Sequence, residues 1–415
     1  MRRRLPPALQ LRDFAFLWSA VLSMRFAESM IAVAVGWQVY SIHHDPLDLG
    51  LVGLAEFLPL PLLALPAGHL ADRLPRRLIA ACSLGLLIGI ASLLLVVTLR
   101  GADQTWPFFA LAAATGIGNA IGWPAFGALT PELVPAELLP GAMALRSVAG
   151  QTAVISGPAL GGVLFAVEPE IVYVVAAALF ATALAAILAL RAPTARRLDE
   201  AAGLTGLVAG VRFVLRTRML LGAIALDLFA VLFGGAIALA PVFAQTILHV
   251  GPIGLGVLRS APAAGALAAA VLLTRRPLRY PAGPTLLVVV ALFGVSMIVF
   301  GLSRWLPLSL AALAVSGFVD MISVNIRSTT VALVTPNELR GRVNAVEMVF
   351  ISASNELGAF ESGAVAALVG TVTSVVAGGI ATVALALSWT RLFPSLARVG
   401  RLEDLRPEPV ATLAR

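Results

Sequence analysis

Long uncharged apolar runs, broken by short polar turns, dominate the chain. A helix crosses the hydrocarbon core of a bilayer with about 20 apolar residues. Twelve stretches fit, at roughly 14–41, 49–70, 78–99, 106–130, 140–166, 171–191, 218–248, 252–274, 284–303, 305–333, 342–368 and 370–393. The pattern predicts an all-α membrane protein with twelve transmembrane helices. The longest connection falls after span 6. It divides the chain into a six-helix bundle over 1–191, a cytoplasmic linker over 192–217, a second six-helix bundle over 218–393 and a cytoplasmic tail over 394–415. Within the linker, Leu204, Leu207, Val208, Val211 and Leu215 are spaced for an amphipathic helix on the membrane surface.

The two halves read as repeats, so the bundles are expected to be pseudo-symmetric. Val134-Pro135-Ala136-Glu137-Leu138 precedes span 5, and Thr335-Pro336-Asn337-Glu338-Leu339 precedes span 11, 201 positions on. Gly50-Leu51 and Gly254-Leu255 are 204 apart. Parallel six-helix repeats are a known transporter architecture.

Charge fixes the expected orientation. All 29 basic residues are Arg, and with both ends inside, 23 of them fall on the cytoplasmic side and 2 in external loops. Cationic short loops stay in the cytoplasm. The external turns carry Asp45, Asp48, Asp103, Glu168 and Glu170 instead. With 59% hydrophobic and 12% charged residues and a net charge of +7, the arginines belong to topology and not to nucleic acid. Mean hydropathy is +0.95. A bacterial inner membrane, a monomer, and the lipid bilayer as surroundings are the expectation. Cys82 is alone, Met1–Gln10 reads as a short basic start and not a cleavable leader, and His43, His44, His69 and His249 fall in loops or at span ends. No metal site, no cofactor and no enzyme activity is expected. Without Lys there is no phosphate-cradling G-x-x-x-x-G-K-[ST], so ATP is not the direct driver.

Away from the span ends, where Arg191, Arg218, Arg342 and Arg391 sit, eleven charged residues lie inside spans: Arg25, Glu28, Glu56, Arg146, Asp227, Arg259, Asp320, Arg327, Glu347, Glu356 and Glu361. Spans 3, 6, 9 and 12 hold none of these. An ionised group facing lipid costs at least about 2.5 kcal/mol, so every third helix can face lipid while eight others surround a polar interior. Glu28, Asn119, Asp227 and Asp320 fall near the bilayer centre of spans 1, 4, 7 and 10, and Asn355 and Glu356 reach similar depth on span 11. A carboxylate out of water favours its protonated form unless a cation pairs with it. Glu28, Asp227 and Glu356 are therefore the candidates for proton coupling. Arg25, Asn119, Arg259, Asp320, Asn325 and Asn355 are candidates to line a substrate cavity. Structural pairings compete with these roles: Arg25 with Glu28, Asp227 with Arg259, and Asp320 with Arg327. The seven acids outnumber the four arginines, so complete pairing is impossible. Arg146 and Glu347, 201 apart, read as repeat-equivalent structural positions near the cytoplasmic ends of spans 5 and 11.

Between spans 2 and 3, Gly68–Arg77 reads G-H-L-A-D-R-L-P-R-R. It resembles the signature loop of the major facilitator superfamily, with Pro75 where that family usually has Gly. The resemblance implies that Gly68, Asp72, Arg73, Arg76 and Arg77 form a cytoplasmic gate, Asp72 facing the start of helix 11. It also implies that helices 1, 4, 7 and 10 line a central cavity. In span 5, Gly157-Pro158-Ala159-Leu160-Gly161-Gly162 resembles the helix-5 motif of superfamily exporters, although Ala153 replaces one more distant glycine and the family's span-4 arginine is absent. Phe350–Gly370, Thr335–Ala345, Gly36-Trp37-Gln38-Val39-Tyr40 and Ala225-Leu226-Asp227-Leu228-Phe229 look like the enterobactin-exporter-like branch. The expectation is thus a secondary transporter that exports a small amphipathic molecule (siderophore, drug or metabolite) by proton antiport with alternating access. A facilitator or importer, or a non-transporting receptor on the same fold, remains open at this point.

Overall fold

A computed structural model describes residues 6–63, 74–191, 204–276, 280–336 and 339–406. Gly68, Asp72, Arg73, His69, Asn337 and Glu338 lie outside the described residues, as do 192–203 of the linker and 407–415 of the tail. The chain forms two compact units, one of 1–199 with 241–260 and the other of 200–240 with 261–415.

The spanning helices are α1 (Arg12–His43), α2 (Pro46–Phe57), α3 (Arg76–Leu99), α4 (Trp106–Leu133), α5 (Leu139–Val167) and α6 (Pro169–Leu188), then α7 (Arg218–Phe233), α8 (Gly251–Arg275), α9 (Ala282–Leu302), α10 (Leu306–Val334), α11 (Arg340–Val369) and α12 (Thr371–Leu392). Among the described residues ten spans are long and apolar enough to cross a membrane, the one of α2 extending to Leu63 and the one of α7 to Ile247. The other two, α4 and α11, are 28 and 30 residues long and stand where spans 4 and 11 were expected. Proline opens α2, α4, α5, α6 and α10, where a helix has no use for the missing N–H. At α2 the Asp45 carboxylate also accepts from the Leu47 N–H at 2.9 Å, capping the helix start.

In the first unit α1 packs on α5 and α6, α3 packs on α4 and α6, and α2 packs on α4. In the second, α7 packs on α11 and α12, and α9 on α10 and α12. Apart from α2 on α4, the second set is the first with six added to each number, the structural counterpart of the sequence repeat. His44 and His249 echo it: they take a left-handed φ just after α1 and just after the turn that ends span 7 at Ile247. The uncharged helix α9 exposes Val288, Leu292, Val295, Val299 and Leu302, an apolar stripe at alternating spacings of four and three. Such a face suits acyl chains.

Three features depart from the sequence reading. Span 7 is not one continuous helix: α7 ends at Phe233, and after Gly234-Gly235 the backbone runs through a 3-10 turn and a π turn to Ile247. The linker helix does form, over Leu204–Arg216. Its Phe213 and Val214, which lie outside the expected membrane face, are buried with Leu220, Ile224, Val331, Val334 and Val343, so one side of the helix meets protein; of the expected face, Val211 packs against the same cluster and Leu215 is exposed. The segment after α12 is docked up to Arg406. Gly400 and Val399 carbonyls accept from the Ala282 and Gly283 N–H groups at 2.7 and 3.0 Å, filling the bare first turn of α9.

Candidate functional site

The described arginines of the signature loop act as braces. Arg76 reaches Glu132 at 2.5 Å and the Ala128 carbonyl at 3.4 Å, tying the start of α3 to the end of α4. Arg77 donates to the Leu188 carbonyl at the end of α6. Cations at a helix C-terminus meet unpaired carbonyls and the negative dipole end.

In the helix-5 motif, a side chain added at Gly157 would strike Ser29, and one at Gly161 would strike Met30, both on α1. Gly162 instead faces Pro252 and Gly256 of α8, and Gly256 in turn faces Pro158 and Ala159. The two backbones interlock through glycines, which allow helices this close. The same unit ties α1 to residues 241–260 by hydrogen bonds, Tyr40 to Thr246 at 2.9 Å and Gln245 to the Trp37 carbonyl at 3.0 Å.

The charges of the first unit are mostly held locally. Arg25 and Glu28 pair at 3.2 Å one turn apart on α1, as expected, and the Arg25 guanidinium sits 5.0 Å over the Trp123 ring. Among the described residues the second oxygen of Glu28 is buried without a hydrogen-bond partner. Asn119 is buried and donates to Glu56 at 3.5 Å. Arg146 donates to the Phe126 and Gly127 carbonyls at 3.0 and 3.3 Å and to the Thr130 hydroxyl at 2.8 Å. Pro131 has no N–H for the Gly127 carbonyl four residues back, so Arg146 fills a gap that the α4 sequence creates.

The second unit is organised differently. Asp227 on α7 and Arg327 on α10 pair at 2.5 Å, with the two residues 8% and 5% exposed. Two expected pairings are thereby corrected. Asp227 does not take Arg259, which belongs to the first unit and donates there to the Ala32 carbonyl at 3.1 Å. Arg327 does not pair with Asp320 on its own helix. Its Nε donates instead to Ser323 at 3.3 Å, which draws the side chain back along α10. Asp320 lies within electrostatic reach of both Asp227 and Arg327, as does Glu347 of α11. One arginine thus stands among three acids.

The other candidates are dispersed. Asn325 and Thr329, one turn apart on α10, line a cavity of about 700 Å³ with Thr274, Tyr280, Arg401 and Glu403. Asn355 is exposed and Glu356 half-buried on α11. Sequence reading missed the break in α7, although the pair Gly234-Gly235 was its signal. A side chain at Gly235 would lie 2.7 Å from the Gly358 carbonyl of α11. It also missed the polar triad that joins α1, α3 and α6, where half-buried Gln38 meets Thr98 at 3.0 Å and buried Tyr173 at 2.5 Å.

The family model for transmembrane secretion effectors of the major facilitator superfamily matches residues 6–407. The chain is 28% identical to the enterobactin exporter EntS of Citrobacter koseri, over 89% of each chain. It is 28% identical to the multidrug efflux pump Tap of Mycolicibacterium fortuitum, over 84% of this chain and 87% of that one. The uncharacterized transporter YfiS of Bacillus subtilis is also 28% identical, over 44% of each chain. Among solved structures, an inward-facing, unoccupied bacterial homolog of the human lysosomal transporter Spinster overlays with a TM-score of 0.73 at 15% identity, covering 95% of this chain and 99% of that one. That last likeness speaks for the fold alone. The chain belongs to the transmembrane secretion effector family of major facilitator transporters.

Proposed function

We propose that this transporter exports a small amphipathic molecule, siderophore, drug or metabolite, in exchange for protons across a bacterial inner membrane, both chain ends facing the cytoplasm. The observation that carries the proton link is the group formed by the buried pair Asp227 and Arg327 with the half-buried Asp320 and Glu347, on three spanning helices. Surplus acids at that depth must be neutral, hydrated or paired in turn, because an uncompensated charge there is costly. A charge group that changes with protonation links the proton to the rocking of one repeat against the other that gives alternating access. Glu28, with its unpartnered oxygen, and Glu356 are subsidiary candidates for the same role. Export is supported by the names of the relatives and by the glycine interlock of α5. A siderophore and a cationic drug differ in charge, so the substrate rests on those names more than on any group in the chain.

The test is transport in everted membrane vesicles. A catecholate siderophore and an amphipathic cationic dye are offered outside, and the interior is acidified. Uptake that collapses when a protonophore is added is the expected result. Uptake that ignores the gradient contradicts proton exchange, and no uptake of either probe above vesicles lacking the protein contradicts the substrate class.

A further inference from the structure

The second-unit charge group contains a division of labour. Arg327 is anchored at two points, to Ser323 one turn back on its own helix and to Asp227 across the gap to α7. Asp320 sits a further turn back, seven residues from Arg327, so both project from nearly the same face of α10. Helical side chains lean toward the N-terminus of their helix, which points the guanidinium from Arg327 toward Asp320. Asp227 holds it now. Among the described residues Asp320 has no salt bridge of its own, and it is less buried than Asp227.

The surroundings restrict the alternatives. From α7 comes Asp227, from α11 Glu347, and from α10 itself Arg327. Neither α9 nor the membrane interior of α12 carries a charged residue. On α8, Arg259 is engaged with Ala32, and Arg275 stands at the helix end. Arg327 is therefore the cation at hand for either aspartate.

We propose that Arg327 is a shared counter-ion, held by Asp227 when Asp320 carries a proton and passed to Asp320 when that proton leaves. Asp320 is then the carboxylate that exchanges the proton. Asp227 is a positioning residue that keeps Arg327 away from it. No bond other than the O–H of Asp320 is made or broken. The proposal rests on the proton-linked reading, but its test does not need a transported substrate.

The full chain in lipid nanodiscs is treated with dicyclohexylcarbodiimide, which modifies protonated carboxyls in apolar surroundings, and the sites are read by mass spectrometry across a pH series. Asp320 is expected to label in a pH-dependent way while Asp227 does not. Asp227→Asn frees Arg327 and should lower labelling of Asp320 about tenfold at a fixed pH, the equivalent of one pK unit, and Asp227→Glu should restore it. Should Asp227→Asn fail to fold, Ser323→Ala, which loosens Arg327, is expected to move the Asp320 profile in the same direction by less. Labelling of Asp227 equal to that of Asp320 in the unaltered chain overturns the proposal. So does an Asp320 profile that neither Asp227→Asn nor Ser323→Ala moves. If labelling behaves as expected while vesicle transport ignores the proton gradient, it is the antiport reading that fails and the charge sharing that stands.

Discussion

The first and second units answer the same repeat with opposite uses of charge. In the first, Arg25 meets Glu28 on one helix, and Arg146 serves a carbonyl that a proline has left bare. In the second, a single arginine bridges two helices with three acids around it. Local one-to-one pairing settles a charge. An uneven group spread over several helices leaves more than one arrangement of similar energy, which a moving proton needs. The repeat-equivalent positions Arg146 and Glu347 make the contrast concrete: 201 residues apart, one is a brace and the other adds to the acid surplus.

That comparison breaks first at Arg327. Arg327→Ala should strip Asp227 of its partner at 8% exposure and cost about 3–5 kcal/mol. A large fall in the thermal unfolding midpoint in detergent is the expected readout. Asp227→Asn combined with Arg327→Gln should recover much of the loss. A double variant as unstable as Arg327→Ala would mean the pair is not the unit that matters.

A smaller effect belongs to the first unit. Arg146→Met should unpair the Gly127 carbonyl and the Thr130 hydroxyl at a cost of about 1–3 kcal/mol. Replacing Pro131 by Ala alongside should soften that penalty, because the restored N–H can serve Gly127. Equal losses with and without the proline would remove the explanation. Gly162→Leu, which overpacks the contact with Pro252 and Gly256, should cost a similar about 1–3 kcal/mol and slow transport. Gly150→Leu, with open space around it, should do neither. Smallest is Arg25→Gln. The Arg25 side chain is 38% exposed, and such pairs contribute about 0–1 kcal/mol, so thermal unfolding should barely shift.

The sequence exposed the architecture because length and apolarity leave few alternatives in a membrane. The repeat offsets carried the likeness of the two halves. Partner choice was much less legible. Asp227 could reach Arg259 on the next helix or Arg327 three helices on, and spacing along a chain does not rank contacts between helices. The break in α7 was hidden because Gly234-Gly235 sits in an unbroken apolar run, and hydropathy does not register backbone geometry. The linker helix showed its amphipathic pattern, but an apolar face fits a protein groove as well as a lipid surface. The docked segment after α12 gave no signal, since its role is to offer the carbonyls of Val399 and Gly400, which any residue has.

The decisive measurement compares proton-driven dye uptake by everted vesicles carrying Asp320→Asn with that of vesicles carrying Glu28→Gln. Asp320→Asn should lose the response to the gradient while still passing dye down its own concentration gradient, and Glu28→Gln should keep most of the response. Gradient-driven uptake that survives Asp320→Asn and vanishes with Glu28→Gln would place the coupling in the first unit and contradict the account.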